Sequence, residues 1–142
     1  MTVEIVDKKT LLEKAENIEY REDDIKEAEQ YGCKTVFECY KRASERYSRY
    51  FLVVDNNKVI APIVLNRCGY LTFFVNKELS PNKAISFVRE LRKLAKWYTD
   101  NYEKTIFVKT ANWYKEAKRL NKLVGFKPYI LRTSETIWVY NG

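Results

Sequence analysis

The sequence predicts an α+β domain, a central mixed sheet of about six or seven strands with helices on both faces. Three observations carry that expectation. First, Gly69 to Phe126 reads as strand (GYLTFFV), polar loop (NKELSPNK), long amphipathic helix, strand (KTIFVKT), helix (WYKEAKRLNKLV) and a Gly-Phe stop. This order implies parallel pairing of Tyr70–Val75 with Thr105–Thr110 through a right-handed crossover. In such units the helix N-terminus and the carboxyl ends of the strands form the usual ligand site. Second, Tyr50–Asp55 and Lys58–Leu65 flank Asn56-Asn57, a hairpin turn because Asn tolerates positive φ. With Tyr70–Val75 they make an antiparallel meander. Third, Lys127–Leu131 and Glu135–Tyr140 pair around Arg132-Thr133-Ser134.

The remaining elements follow in order. Val3–Val6 alternates weakly, as a first strand does. Thr10 and Glu13 form a capping-box pattern for a short helix through Ala15. Asp23 and Asp24 precede a helix whose Ile25, Ala28 and Tyr31 share one face, ending at Gly32. Thr35 and Glu38 repeat the capping pattern, and Val36, Tyr40, Ala43 and Tyr47 then fall on one helical stripe. Pro62 lacks a donor and marks an edge or a bulge. Ser80 caps the long helix, with Pro81 at its first position. Its buried stripe is Ala84, Phe87, Val88, Leu91, Leu94, Ala95 and Tyr98, with Arg89, Arg92, Lys93 and Lys96 off it. The last helix buries Trp113, Ala117, Leu120 and Val124 before Gly125.

The 142 residues suit one domain spanning 1–142, and 46% hydrophobic content with 15% aromatics argues against disorder. No apolar run is long enough for a membrane span, and no basic region followed by an apolar stretch opens the chain. The expectation is a soluble cytoplasmic protein with no membrane partner. Cys33, Cys39 and Cys68 form no C-x-x-C, and without histidine no zinc site is completed. The absence of histidine also excludes imidazole-based triads and general bases, leaving Glu, Asp, Tyr, Cys, Lys or water for proton transfer. Charge is uneven: residues 1–30 carry a net −5 and residues 31–142 a net +12. A basic face suits nucleic acid, a CoA phosphate or an acidic protein, but a solvated lysine-rich surface on the helices is the favoured account.

The element order and the run A-K-R-L-N-K-L-V-G-F (residues 117–126) resemble the GCN5-related N-acetyltransferase (GNAT) superfamily, whose helix reads A-x-x-x-Y-x-x-x-G-F. The resemblance implies acetyl-CoA as cofactor, its pyrophosphate on backbone N–H groups of a loop patterned R/Q-x-x-G-x-G/A. Those positions are here Ser80, Lys83 and Ile85, so the loop is degenerate. Cofactor contacts carried over by the resemblance fall on Phe74, Val75, Asn82, Lys83, Ala84 and Asn112, with a backbone N–H near Phe74 polarising the acyl carbonyl. The tyrosine acid is replaced by Asn121. Tyr114, about two turns earlier, is the substitute, and Glu38, Tyr40 or a water would take the amine proton. The layout also resembles the acyltransferase-like internal virion or assembly proteins of T7-like phages, which implies virion partners and a place in the host cytoplasm or the particle.

Three functions follow from these readings. The first is a non-catalytic GNAT-fold protein acting by protein contact, with acetyl-CoA bound weakly or not at all. The second is a working acetyltransferase with unusual CoA contacts. The third is a nucleic-acid-binding module using the basic helices, with Trp97, Trp113 and tyrosines as stacking platforms.

Overall fold

A computed structural model of the chain describes residues 1–102 and 104–141. Its strands are β1 (Thr2–Val6), β2 (Ser48–Asp55), β3 (Lys58–Asn66), β4 (Leu71–Phe73), β5 (Ile106–Ala111), β6 (Lys127–Leu131) and β7 (Glu135–Tyr140). The helices are α1 (Lys8–Glu16), α2 (Glu22–Gln30), α3 (Val36–Ala43), α4 (Ala84–Tyr102, entered through a 3-10 turn at Pro81–Lys83) and α5 (Lys115–Val124). Seven strands and helices on both faces agree with the sequence expectation. The strands form two sheets, ordered β1-β2-β3-β4 and β5-β7-β6, with every ladder antiparallel. Among the described residues the mixed character is confined to one parallel bridge between the sheets, Tyr70 to Phe107, where the Phe107 N–H donates to the Gly69 carbonyl at 2.8 Å. Beyond it β4 and β5 diverge, so the longer parallel ladder expected over Tyr70–Val75 and Thr105–Thr110 does not form. Gly69 makes the single approach possible: its φ is +89°, and a Cβ there would fall onto the Thr105 carbonyl oxygen.

Two apolar cores lie on opposite faces. One packs Phe51, Ile63, Leu65, Ile106 and Trp138 against Phe87, Leu91 and Leu94 of α4 and Val124 of α5. The other packs Leu52, Val64 and Phe74 against Leu11 and Ala15 of α1 and Val36 and Tyr40 of α3. Asn56 and Asn57, with φ of 49° and 65°, make the β2–β3 turn as expected. Pro62 sits in an interior strand rather than at an edge. Extending the β3–β4 register places it opposite Phe74, the first residue beyond β4. The ladder cannot close there, and the Tyr40 hydroxyl replaces it. The Phe74 N–H donates to the Tyr40 oxygen at 2.7 Å, and the hydroxyl donates to the Pro62 carbonyl at 2.7 Å.

Several local expectations are corrected by helix phase. Asp7, not Thr10, caps α1, accepting the Thr10 N–H at 2.8 Å. Starting α2 at Glu22 places Asp23 and Asp24 in its first turn, where the helix dipole favours them. The same phase buries Asp24, Glu27 and Ala28 and leaves Ile25 exposed. Because α3 stops at Ala43, Tyr47 lies beyond the helix and in solvent. Trp113 precedes α5 and is exposed, while Asn121 is buried on that helix instead. Ala84 is exposed and Leu120 half-buried, whereas Leu91 is fully buried.

Removing the Tyr40 hydroxyl leaves a buried N–H and carbonyl without their partner. Tyr40→Phe is expected to cost about 1–3 kcal/mol, and Leu91→Ala about 2–5 kcal/mol as a core truncation. Urea unfolding of both variants checks this, and an unmoved midpoint for Tyr40→Phe would mean that the strands separate there without the hydroxyl's help.

Candidate active-site cleft

The divergence of β4 and β5 opens a cleft of about 760 Å³ that continues outward between the start of α4 and α5. Phe73, Val75, Val108 and Thr110 line its inner part, and Leu79, Val88, Ala117 and Leu120 its apolar outer walls. Arg89, Arg92 and Arg119 stand along the outer part; the Arg92 Nε donates to the Leu123 carbonyl at 2.7 Å.

Strands that part leave backbone N–H groups without ladder partners, and buried N–H groups need acceptors. Here α2 provides them. Asp24 and Glu27 are one turn apart on the same side of the helix, and each is over nine-tenths buried. Asp24 accepts the Tyr114 hydroxyl at 2.7 Å and faces the Val75 N–H at 3.4 Å. Glu27 accepts the Ala111 N–H at 2.8 Å and the Tyr31 hydroxyl at 3.4 Å. The two carboxylates therefore tie the end of β4 to the end of β5 across the inner cleft. Burial raises both above the usual carboxylate range, against the pull of their hydrogen bonds, and Glu27 is pushed up to about 7. Burial and the neighbouring Asp24 charge likewise raise the Tyr114 hydroxyl.

A second cavity of about 290 Å³ lies on the α2–α3 side, among Tyr31, Cys39, Arg42 and Tyr70. Both cavities are lined by Glu27, Phe73, Phe74, Val108 and Lys109. Glu27 thus stands in a shared wall, with α4 and α5 on one side and α2 and α3 on the other.

Of the residues singled out in sequence, Tyr114, Phe74, Val75 and Ala84 line the large cleft. The Phe74 N–H is not available to a ligand, since it is held by Tyr40. Donors alternate sides along a strand, so the neighbouring N–H groups of Phe73 and Val75 turn toward β5. Lys83 pairs with Asp55, which also receives the N-terminal ammonium at 3.7 Å, and does not line the cleft. Asn82 accepts from the Ser80 hydroxyl at 2.6 Å in solvent. Asn112 donates to the Arg132 and Thr133 carbonyls at 2.8 and 3.2 Å, fastening the β6–β7 turn. Glu38 accepts the Lys34 N–H at 2.6 Å at the start of α3, and Tyr40 is buried between β3 and β4; neither lines the cleft. Asn121 also lines the large cleft, where it is buried and donates to the Thr110 hydroxyl at 2.8 Å. Sequence reasoning missed Asp24 and Glu27. The available signal was composition: α2 has only Ile25 and Ala28 as apolar residues among nine, too few to make a wholly apolar buried face.

No family model matches this sequence, and no curated protein matches it. Solved structures do. Aminoglycoside 6'-acetyltransferase type Ii superposes with a TM-score of 0.66 at 16% identity, covering 98% of this chain and 95% of the other. Aminoglycoside acetyltransferase AAC(6')-Ib in complex with coenzyme A gives 0.65 at 11% identity, over 97% and 92%. The ribosomal-protein-S5-alanine acetyltransferase of Vibrio fischeri gives 0.62 at 11%, over 97% and 91%. The chain has a GNAT-like fold. At these identities the likeness concerns the fold alone. No described helix is long and apolar enough to cross a membrane.

A carboxyl whose folded pKa lies above its unfolded value holds its proton longer when folded. Its contribution is fully present below the unfolded value and is lost as pH rises through the folded one. Glu27, at about 7 against a usual 4.5, should therefore reduce stability by about 3 kcal/mol between pH 4.5 and 7, with Asp24 adding in the same direction. Denaturation across that range should show the decline, and Glu27→Gln should flatten it. A wild-type profile already flat would mean that Glu27 ionises normally.

Proposed function

We propose that this chain is an N-acyltransferase that takes a CoA thioester as donor and a primary amine as acceptor. The observation carrying this reading is Glu27, a buried carboxylate held near neutrality in the wall between two cavities. A group with that pKa suits general-base work at physiological pH. The large cleft suits an elongated ligand: Leu79, Val88 and Leu120 offer an apolar wall for its stem, and Arg89, Arg92 and Arg119 suit its phosphates. The phosphate loop itself contributes less. Pro81 has no N–H, Lys83 is drawn to Asp55, and Ile85 projects into solvent at the cleft's edge.

A bound CoA thioester supplies an activated acyl carbon. The Phe73 N–H, turned toward β5, is the donor placed to orient the acyl oxygen. Glu27, ionised above about pH 7, would accept the proton that the amine gives up as its nitrogen bonds the acyl carbon, the C–S bond breaking and the CoA sulfur leaving as a thiolate. Tyr114 holds Asp24 by its hydroxyl in the wall of the cleft. A second reading, a non-catalytic GNAT-fold protein that works by contact with a protein partner such as a virion component, draws support from the Val75 N–H, which faces Asp24 rather than open space, and from the reduced loop.

Thermal unfolding with acetyl-CoA separates the two. Ligand at 100 times its Kd should stabilise the fold by about 2.7 kcal/mol, and charge reversal at Arg89 with Arg119 should remove the shift. Glu27→Gln should keep the shift yet slow acyl transfer to a primary amine roughly 10²- to 10⁴-fold. No shift at millimolar acetyl-CoA would favour the protein-contact reading.

A further inference from the structure

A row of aromatic rings starts at Tyr70, in the wall of the smaller cavity, and runs across the β5-β7-β6 sheet through Phe107 to Tyr129. Tyr70 and Phe107 have centroids 5.4 Å apart and tilted by 31°, and Phe107 and Tyr129 6.1 Å apart and tilted by 40°. The register sets Phe107 opposite Val139 and Val139 opposite Lys127, and directly paired residues share one face of a sheet. Tyr129 is 60% exposed and Tyr70 37%. Cations flank the row. Arg67 and Lys104 are exposed beside Tyr70, the Lys104 ammonium reaching the Arg67 carbonyl at 3.4 Å, and Lys127 lies on β6 itself, whereas the Lys109 ammonium is held over the Tyr31 ring at 4.5 Å, on the α2 side. The carboxylate of Glu135 is engaged by Lys109 at 3.6 Å and Arg132 at 3.7 Å.

We propose that this face binds single-stranded nucleic acid, the rings stacking bases and the flanking cations meeting phosphates. Aromatic rings on an open sheet surrounded by positive charge combine the two elements of sequence-tolerant single-strand binding. An apolar protein partner would be served by the rings but not by the cations, and the chain's net charge of +7 favours a polyanion. The platforms expected from sequence are otherwise engaged. Trp113 stacks on Tyr114 at 5.3 Å and donates to Gln30, and Trp97 packs edge-on against Phe51 and Tyr102.

Fluorescence polarisation of a labelled 12-nucleotide oligothymidylate with the whole chain tests this. Binding should weaken roughly 20-fold from 50 to 200 mM NaCl, as expected for about three neutralised phosphates on a single strand. Tyr129→Ala, at an exposed position, should weaken it roughly 5- to 150-fold, and Lys127→Gln should lower the salt slope by about 0.7. Unchanged thermal unfolding of both variants excludes a folding defect. No polarisation change at 50 mM salt would overturn the proposal. So would binding indifferent to Tyr129→Ala, or a duplex of equal length binding as tightly, because charge alone would then account for it.

Discussion

Every buried backbone group must find a partner, and the parting of β4 from its neighbours breaks that condition in two places. On the β3 side, Pro62 cannot donate, and the Tyr40 hydroxyl takes up the Phe74 N–H and the Pro62 carbonyl. On the β5 side, the acids of α2 take up the Ala111 N–H and face that of Val75. The helices α2 and α3 are thereby fastened to the sheets by polar contacts at the point where the strands separate. The apolar packing of both cores surrounds this junction without being able to replace it, since hydrocarbon cannot accept a hydrogen bond.

This arrangement explains why the cleft exists. Among the described residues one parallel bridge, Tyr70 to Phe107, joins the two sheets, and Gly69 allows the backbones to touch there. A residue with a side chain at that position would push the sheets apart or force the loop to move. Past the bridge, nothing pairs the strands, and α4 and α5 rise from their far ends to form the outer walls.

Much of the fold was legible in the sequence because periodicity and turn chemistry are local. The Asn56-Asn57 hairpin, the α4 stripe through Phe87, Leu91 and Leu94, and the Gly125 stop, with its φ of 113°, all agree with that reading. The candidate site was less legible, for a physical reason. Amphipathic reasoning assigns the apolar residues of a helix to the core, so it puts Ile25 inside and gives no role to the acids. In α2 the inner face meets orphaned N–H groups, and carboxylates satisfy these where isoleucine cannot. Tyr40 was read by the same logic as a core aromatic or a base, whereas its hydroxyl completes a ladder. Asn112 and Lys83 sit at plausible sequence positions, but each is taken by a partner distant along the chain, Arg132 and Asp55 respectively. No spacing rule reveals those partners.

The acids of α2 also place fold and function in tension. A carboxylate desolvated enough to stay near neutrality is a better base at physiological pH than one in water, yet the same desolvation makes its ionised form costly to the folded state. Glu27 is ionised most readily when its hydrogen bonds from Ala111 and Tyr31 are intact, because both lower its pKa. Weakening either contact would raise the pKa further and favour the protonated carboxyl, which cannot accept a proton. The contact that closes the β5 side of the junction is thus the one that keeps Glu27 within reach of neutral pH. For this chain, the geometry of the divergence and the ionisation of the acid inside it are a single property.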